Sequence, residues 1–264
     1  MKLELIQNHP THILNQYPLL FLHGAAGAAW NFSGYLNYLE QHQILAYAMS
    51  LRGHGLSEGD DVLEHATMDD YVYDLVHVIK QLDEKPIVIG HSMGGAILQK
   101  SLADHQELMQ AAVLLASANA KGIDPDSMLG FFYTSGTQFL RQIRIRFNEP
   151  TLGIDELLRR YVLSSKISIE AMRQLRMQLS KESKVIKKDL LKPYLPEDIE
   201  LMIPVVVLGC TGDLIITKDK IEETAQRFQA KPFMIDGLSH FLMIDPEYER
   251  GIKALMTILE PYYR

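Results

Sequence analysis

Cysteine is nearly absent: Cys210 is the only one in 264 residues, so no intrachain disulfide can form and no cysteine-based zinc site can be built. It reads as a small buried hydrophobe. The chain also lacks any apolar run approaching the roughly 20 residues needed to cross a bilayer, so no membrane insertion is expected. Ten histidines are present, but none forms the His-Glu-x-x-His spacing that sets two metal ligands on one helical face. Neither a metal nor a cofactor is expected. The opening Met1-Lys2-Leu3-Glu4-Leu5-Ile6 places an acidic residue where a signal peptide would continue its apolar stretch, and no small-residue cleavage site follows. A cytoplasmic protein is the expectation. Repeats, low-complexity tracts and flexible linkers are missing too.

What is present is enough for one sizeable core: 47% of residues are hydrophobic and 22% are charged. The net charge of −7 is unevenly spread, and no nucleic-acid partner is expected. Residues 121–192 hold 14 Lys and Arg against 8 Asp and Glu, whereas the rest of the chain holds 12 against 25. Such a basic segment either steers an acidic substrate or is a set of solvated helix faces.

The first half alternates short apolar runs with longer amphipathic ones, the signature of a parallel sheet covered by helices. Strands are expected at 19–23, 44–49, 86–90 and 111–116, with helices at 69–82 and 94–105 between them. From about 118 to 196 the pattern turns helical, with candidates at 128–147, 154–163 and 167–182. Alternation then resumes with a strand at 204–209, a helix at 217–228, a strand at 232–236 and a last helix from about 245. The reading is an α/β core formed by residues 1–117 and 197–264, split by a helical cap insertion at 118–196.

The strongest chemical signal is Gly90-His91-Ser92-Met93-Gly94-Gly95, directly after the apolar strand Pro86-Ile87-Val88-Ile89 and directly before a helix. A bare Gly-x-Ser-x-Gly occurs by chance in about one chain in ten of this length. The flanking strand and helix make it informative, because a serine in a sharp strand-to-helix turn is exposed and strained, and the glycines let the two elements approach. The bland alternative is a structural glycine turn. A serine hydroxyl needs a base and a group that orients the base. His240, in Gly237-Leu238-Ser239-His240-Phe241, is the only histidine in the last 150 residues. Asp213, in Thr211-Gly212-Asp213, follows the strand at 204–209 and is the candidate orienting acid, with an Asx-turn or helix cap as its structural alternative. Asp219 is a weaker competitor. The edge Ala116-Ser117-Ala118-Asn119 holds no carboxylate. For an oxyanion hole, His23-Gly24-Ala25-Ala26-Gly27 supplies a small-residue loop, and the backbone N–H groups of Ala25 and Met93 are the candidate donors. That loop lacks the glycine and lysine spacing of a phosphate cradle.

These segments, together with Arg52-Gly53-His54-Gly55-Leu56-Ser57 and the chain order Ser, Asp, His, make the sequence resemble the α/β-hydrolase superfamily over nearly its whole length. The resemblance implies an eight-stranded, mostly parallel sheet, a cap roofing the pocket, and triad roles for Ser92, Asp213 and His240. It implies a structural role for the Arg-Gly-His-Gly turn. Members with this turn often carry an aspartate shortly before the arginine, whereas here Ser50-Leu51 stand there, so anchoring of that loop is expected to differ. Only 18 residues precede the strand at 19–23, which points to an abbreviated N-terminal sheet edge. The activity expected is hydrolysis of a small-molecule carboxylic ester through an acyl-enzyme on Ser92. Phe131, Phe132 and Phe139, with Met128, Leu129, Tyr133, Met172, Leu175 and Leu179, are candidates for an apolar roof, some of them packing the cap instead. Thioesterase, carbon–carbon bond hydrolase and perhydrolase chemistry use the same triad, and a ligand receptor on a hydrolase scaffold is the alternative of another class.

Overall fold

The computed structural model describes residues 1–130, 136–196 and 199–263. Seven strands form one sheet in the order β1-β3-β2-β4-β5-β6-β7. They are β1 (Leu5–Gln7), β2 (Leu19–Leu22), β3 (Ala46–Met49), β4 (Ile87–His91), β5 (Ala111–Leu115), β6 (Val205–Cys210) and β7 (Pro232–Ile235). All neighbouring pairs run parallel except β1 with β3.

The strands are continuous apolar runs because both faces of the sheet are covered. Leu20, Leu22, Val88, Ala112, Leu114 and Val207 enter one core, whereas Leu19, Phe21, Ile87, Ile89, Val113, Leu115 and Leu208 enter the other. This is the two-residue alternation of a strand with a buried destination for each side. Burying each such side chain fully is worth about 1.5–3 kcal/mol. The first core is closed by α2 (Met68–Ile79), α3 (Met93–Ser101) and α8 (Lys218–Arg227), the second by α1 (Ser33–Gln41) and α9 (Tyr248–Tyr263). Helix α2 begins at a capping box, with Thr67 Oγ1 accepting from the Asp70 N–H and Asp70 Oδ2 accepting from the Thr67 N–H.

Between β5 and β6 lie α4 (Gly136–Phe147), α5 (Ile154–Tyr161), α6 (Ile169–Gln178) and α7 (Lys184–Asp189), with no strand among the described residues. Phe139, Ile143, Leu157, Ile186 and Leu190 of this insertion are buried in the first core.

Among the described residues the sheet has seven strands rather than eight. Before β2 only Leu5–Gln7 pairs with it, and the segment that follows is tied down by side-chain amides instead. Asn8 Nδ2 donates to the Ile44 carbonyl at 2.8 Å and Asn15 Oδ1 accepts from the Leu45 N–H at 2.7 Å. The Ile44 carbonyl and the Leu45 N–H ahead of β3 are thus satisfied without another strand.

Candidate active site

Parallel strands deliver their loops to one edge, and the candidate residues follow β2, β4, β6 and β7 at their carboxyl ends. Ser92 lies between β4 and α3 at φ +53°, ψ −113°, a conformation that L-residues avoid and that persists only where packing enforces it. The enforcement is steric. A Cβ on Gly94 would lie 2.5 Å from the His23 carbonyl oxygen and 2.6 Å from that of Leu22, and one on Gly90 would lie 2.5 Å from the Gly94 oxygen. Only glycine allows β4, α3 and the end of β2 to approach this closely.

Helix α3 therefore starts at Met93 with Ser92 at its mouth, and Ser92 Oγ lies 3.0 Å from His240 Nε2. His240 Nδ1 lies 2.7 Å from Asp213 Oδ2. Asp213 Oδ1 is occupied by the N–H groups of Ile215 at 2.7 Å and Ile216 at 2.9 Å. Two backbone donors keep this carboxylate an acceptor, so Nδ1–H donates to it and Nε2 is left to accept the serine proton. The Asx-turn read as the structural alternative for Asp213 is real, and it coexists with the histidine contact. All three side chains are buried.

Sequence reasoning missed His91 as the anchor of the histidine loop. Its Nε2–H donates to the His240 carbonyl at 2.9 Å, and the two rings lie 4.7 Å apart. Burial, reinforced by His240 beside it, holds the His91 pKa well below the ordinary histidine value, so no second charge competes with an imidazolium on His240.

On the other side of Ser92, residues 24–27 form a turn closed by the Gly27 N–H on the Gly24 carbonyl at 3.2 Å. Gly24 is wedged against the serine, since a Cβ there would lie 3.0 Å from both Ser92 Cβ and His91 Nδ1. Among the described residues, no protein acceptor takes the N–H of Ala25 or Met93. A narrow pocket is lined by Gly24, Ala25, His91, Ser92, Leu129, Ile215, His240 and Phe241. It abuts a larger outer groove, and Leu129 and Ile215 line both.

A profile of the Alpha/beta hydrolase family matches residues 19–248. The chain belongs to that family. The sn-1-specific diacylglycerol lipase ABHD11 of Danio rerio is 25% identical over 265 residues, covering 92% of this chain and 78% of that one. The monoacylglycerol lipase of Paleococcus ferrophilus shares the fold with a TM-score of 0.70 at 19% identity, covering 99% and 100% of the two chains. A thermophilic esterase from Thermogutta terrifontis does so at 0.72 with 20% identity, covering 99% and 94%.

Of the proposed roof, Phe131, Phe132 and Tyr133 fall outside the described residues. Phe139 is 2% exposed, packs in the core and is not among the residues lining the pocket. Leu129, one of the roof candidates, does line it, together with Ile215 and Phe241; Phe241 was visible as the neighbour of His240, whereas nothing marked Ile215. The turn at Arg52 is anchored by Glu4, which accepts from Ser50 Oγ at 2.6 Å and from the Leu56 N–H at 3.0 Å. Arg52 pairs with Asp74 at 2.7 Å and Asp70 at 2.6 Å on α2, and these carboxylates hold its pKa above the ordinary value against the effect of burial.

Proposed function

We propose that this chain is a serine hydrolase that cleaves carboxylic esters through an acyl-enzyme on Ser92. The observation that carries the reading is the continuous chain of contacts from Ser92 Oγ through His240 to Asp213, at 3.0 and 2.7 Å. His240 Nε2 takes the hydroxyl proton as Oγ attacks the ester carbonyl, and Asp213 stabilises the resulting imidazolium. The N–H groups of Ala25 and Met93, unclaimed among the described residues, receive the oxyanion. The imidazolium then protonates the leaving alcohol, and a water activated by the same base hydrolyses the acyl-enzyme. Leu129, Ile215 and Phe241 give the narrow pocket beside Ser92 an apolar lining, and the outer groove that shares Leu129 and Ile215 has the room to receive the substrate.

A chain-length series of p-nitrophenyl esters tests this. Turnover that falls as the acyl chain lengthens supports the ester reading and sizes the pocket. Binding of small ligands without turnover or covalent labelling of Ser92 would contradict it and favour a receptor.

A further inference from the structure

We propose that Glu182, carried by the helical insertion, is a positioning residue that holds the oxyanion loop in its working shape and so ties the seating of the insertion to the reactivity of Ser92. The inference rests on the serine-hydrolase reading given above.

The Glu182 side chain is 4% exposed and reaches across to the sheet edge. Its Oε2 accepts from the Ala26 N–H at 3.1 Å and faces His54 Nε2 at 3.3 Å. Its Oε1 accepts from the Tyr71 hydroxyl at 2.7 Å and the Ser183 N–H at 2.9 Å. The Ala26 carbonyl accepts from the Ser180 N–H at 2.9 Å. The peptide units on both sides of Ala26 are thus bonded to one short stretch of the insertion, next to the Ala25 N–H. Ala26 needs this holding, because it sits at φ +58°, in the left-handed region that only glycine occupies freely. The loop is pinned between Ser92 on one side and the insertion on the other.

A bare carboxylate at this place would repel a developing oxyanion, and the structure neutralises it. Both ring nitrogens of His54 face acceptors, Nδ1 at 2.9 Å from the Arg52 carbonyl and Nε2 on Glu182, which is the environment of an imidazolium. Burial works against that charge, but Glu182, the Arg52 carbonyl and Asp60 outweigh it and raise the His54 pKa. The remaining groups around the pair add no opposing charge. His23, with its ring 5.0 Å from His54, is neutral because its Nε2 accepts from the Leu51 N–H, and Tyr71 remains a hydroxyl. His54 of the Arg-Gly-His-Gly turn thereby keeps the latch uncharged overall.

The test is Glu182→Gln, assayed well below the melting temperature of each protein, with rates expressed per fluorophosphonate-labelled site. Glutamine places an amide where Ala26 and His54 need an acceptor. The expected result is a kcat about tenfold to a hundredfold lower, short of the 10²–10³ that follows loss of a whole oxyanion donor, with KM changed less than about twofold. Affinity for a trifluoromethyl ketone, whose hemiketal oxyanion occupies the hole, falls by the same factor. Tyr71→Phe removes one donor to Glu182, keeps the ion pair, and shows the same two effects at a few-fold, which covers the case of a Glu182→Gln protein that does not fold. Wild-type kcat and ketone affinity in a folded variant, or a lower kcat with unchanged ketone affinity, overturn the latch. A wild type that neither hydrolyses esters nor labels overturns the hydrolase reading itself, and the latch with it.

Discussion

Around Ser92 the backbone is held by backbone, whereas the helical insertion adds buried charge and hydrogen bonds to its apolar contacts with the body. Gly90 and Gly94 leave no room for a Cβ, so the turn that presents the serine is fixed by contacts that neither salt nor pH alters. The insertion buries one inner row of side chains and leaves Ile145 62% and Met177 79% exposed. Its outer surface is tied by ion pairs, Glu156 with Arg159 and Arg160, and Asp155 with Arg173 and Arg176. Its link to the loop at 24–27 is the buried Glu182, which accepts from the Ala26 N–H and also pairs with His54. Ser92 thus sits in a sterically fixed turn, and the insertion meets the loop at 24–27 through a buried ion pair.

The largest effect that sharpens this contrast is chemical rather than structural. Asp213→Asn is expected to lower kcat by about 10⁴ by offering His240 the wrong tautomeric partner, with a melting temperature close to that of the wild type. Steady-state kinetics beside a thermal melt check it; a large loss of stability with modest loss of rate would make Asp213 structural. Next, Glu182→Ala strands a buried imidazolium and is expected to cost about 3–5 kcal/mol in urea unfolding. A cost near zero would show that charge does not seat the insertion. Gly94→Ala forces a Cβ onto two carbonyls and is expected to cost about 1–3 kcal/mol, with a smaller fraction of labelled serine.

The smallest effect is in pH. Burial, with the His54 charge beside it, pulls His23 down to about 3, and burial also keeps His91 neutral. The unfolded chain takes up protons at both below about pH 6.5, so the body loses stability as pH falls. His54 has its pKa raised on folding, so its contribution is complete below the unfolded value and is lost as pH rises through the folded one. Urea midpoints from about pH 4 to pH 9 should therefore decline at both ends. His54→Gln should flatten the alkaline decline alone, and an unchanged alkaline decline would contradict the latch.

The body was legible because its signals are local. Six strands and the Gly-His-Ser-Met-Gly-Gly elbow each show within a few residues, and Ser92, Asp213 and His240 could be ordered along the chain before the structure brought them together. Helix α1 was missed because its sequence Ser-Gly-Tyr-Leu-Asn-Tyr-Leu-Glu-Gln is poor in helix formers and is helical through packing on α9. Helix α7 has only six residues, too few to show a period. The latch was illegible for another reason. His54 and Glu182 are 128 positions apart, and neither lies in a pattern that names the other. A carboxylate in a basic segment reads as part of a solvated face until the fold shows it buried.

The central claim, that Ser92 is a nucleophile activated by His240, is tested most directly by mass spectrometry of the intact protein after a fluorophosphonate. One adduct, mapped to Ser92, absent in Ser92→Ala and slowed in proportion to kcat in Asp213→Asn, is the result the account predicts. A folded wild type that takes up no label, or a label on another residue that persists in Ser92→Ala, would contradict it.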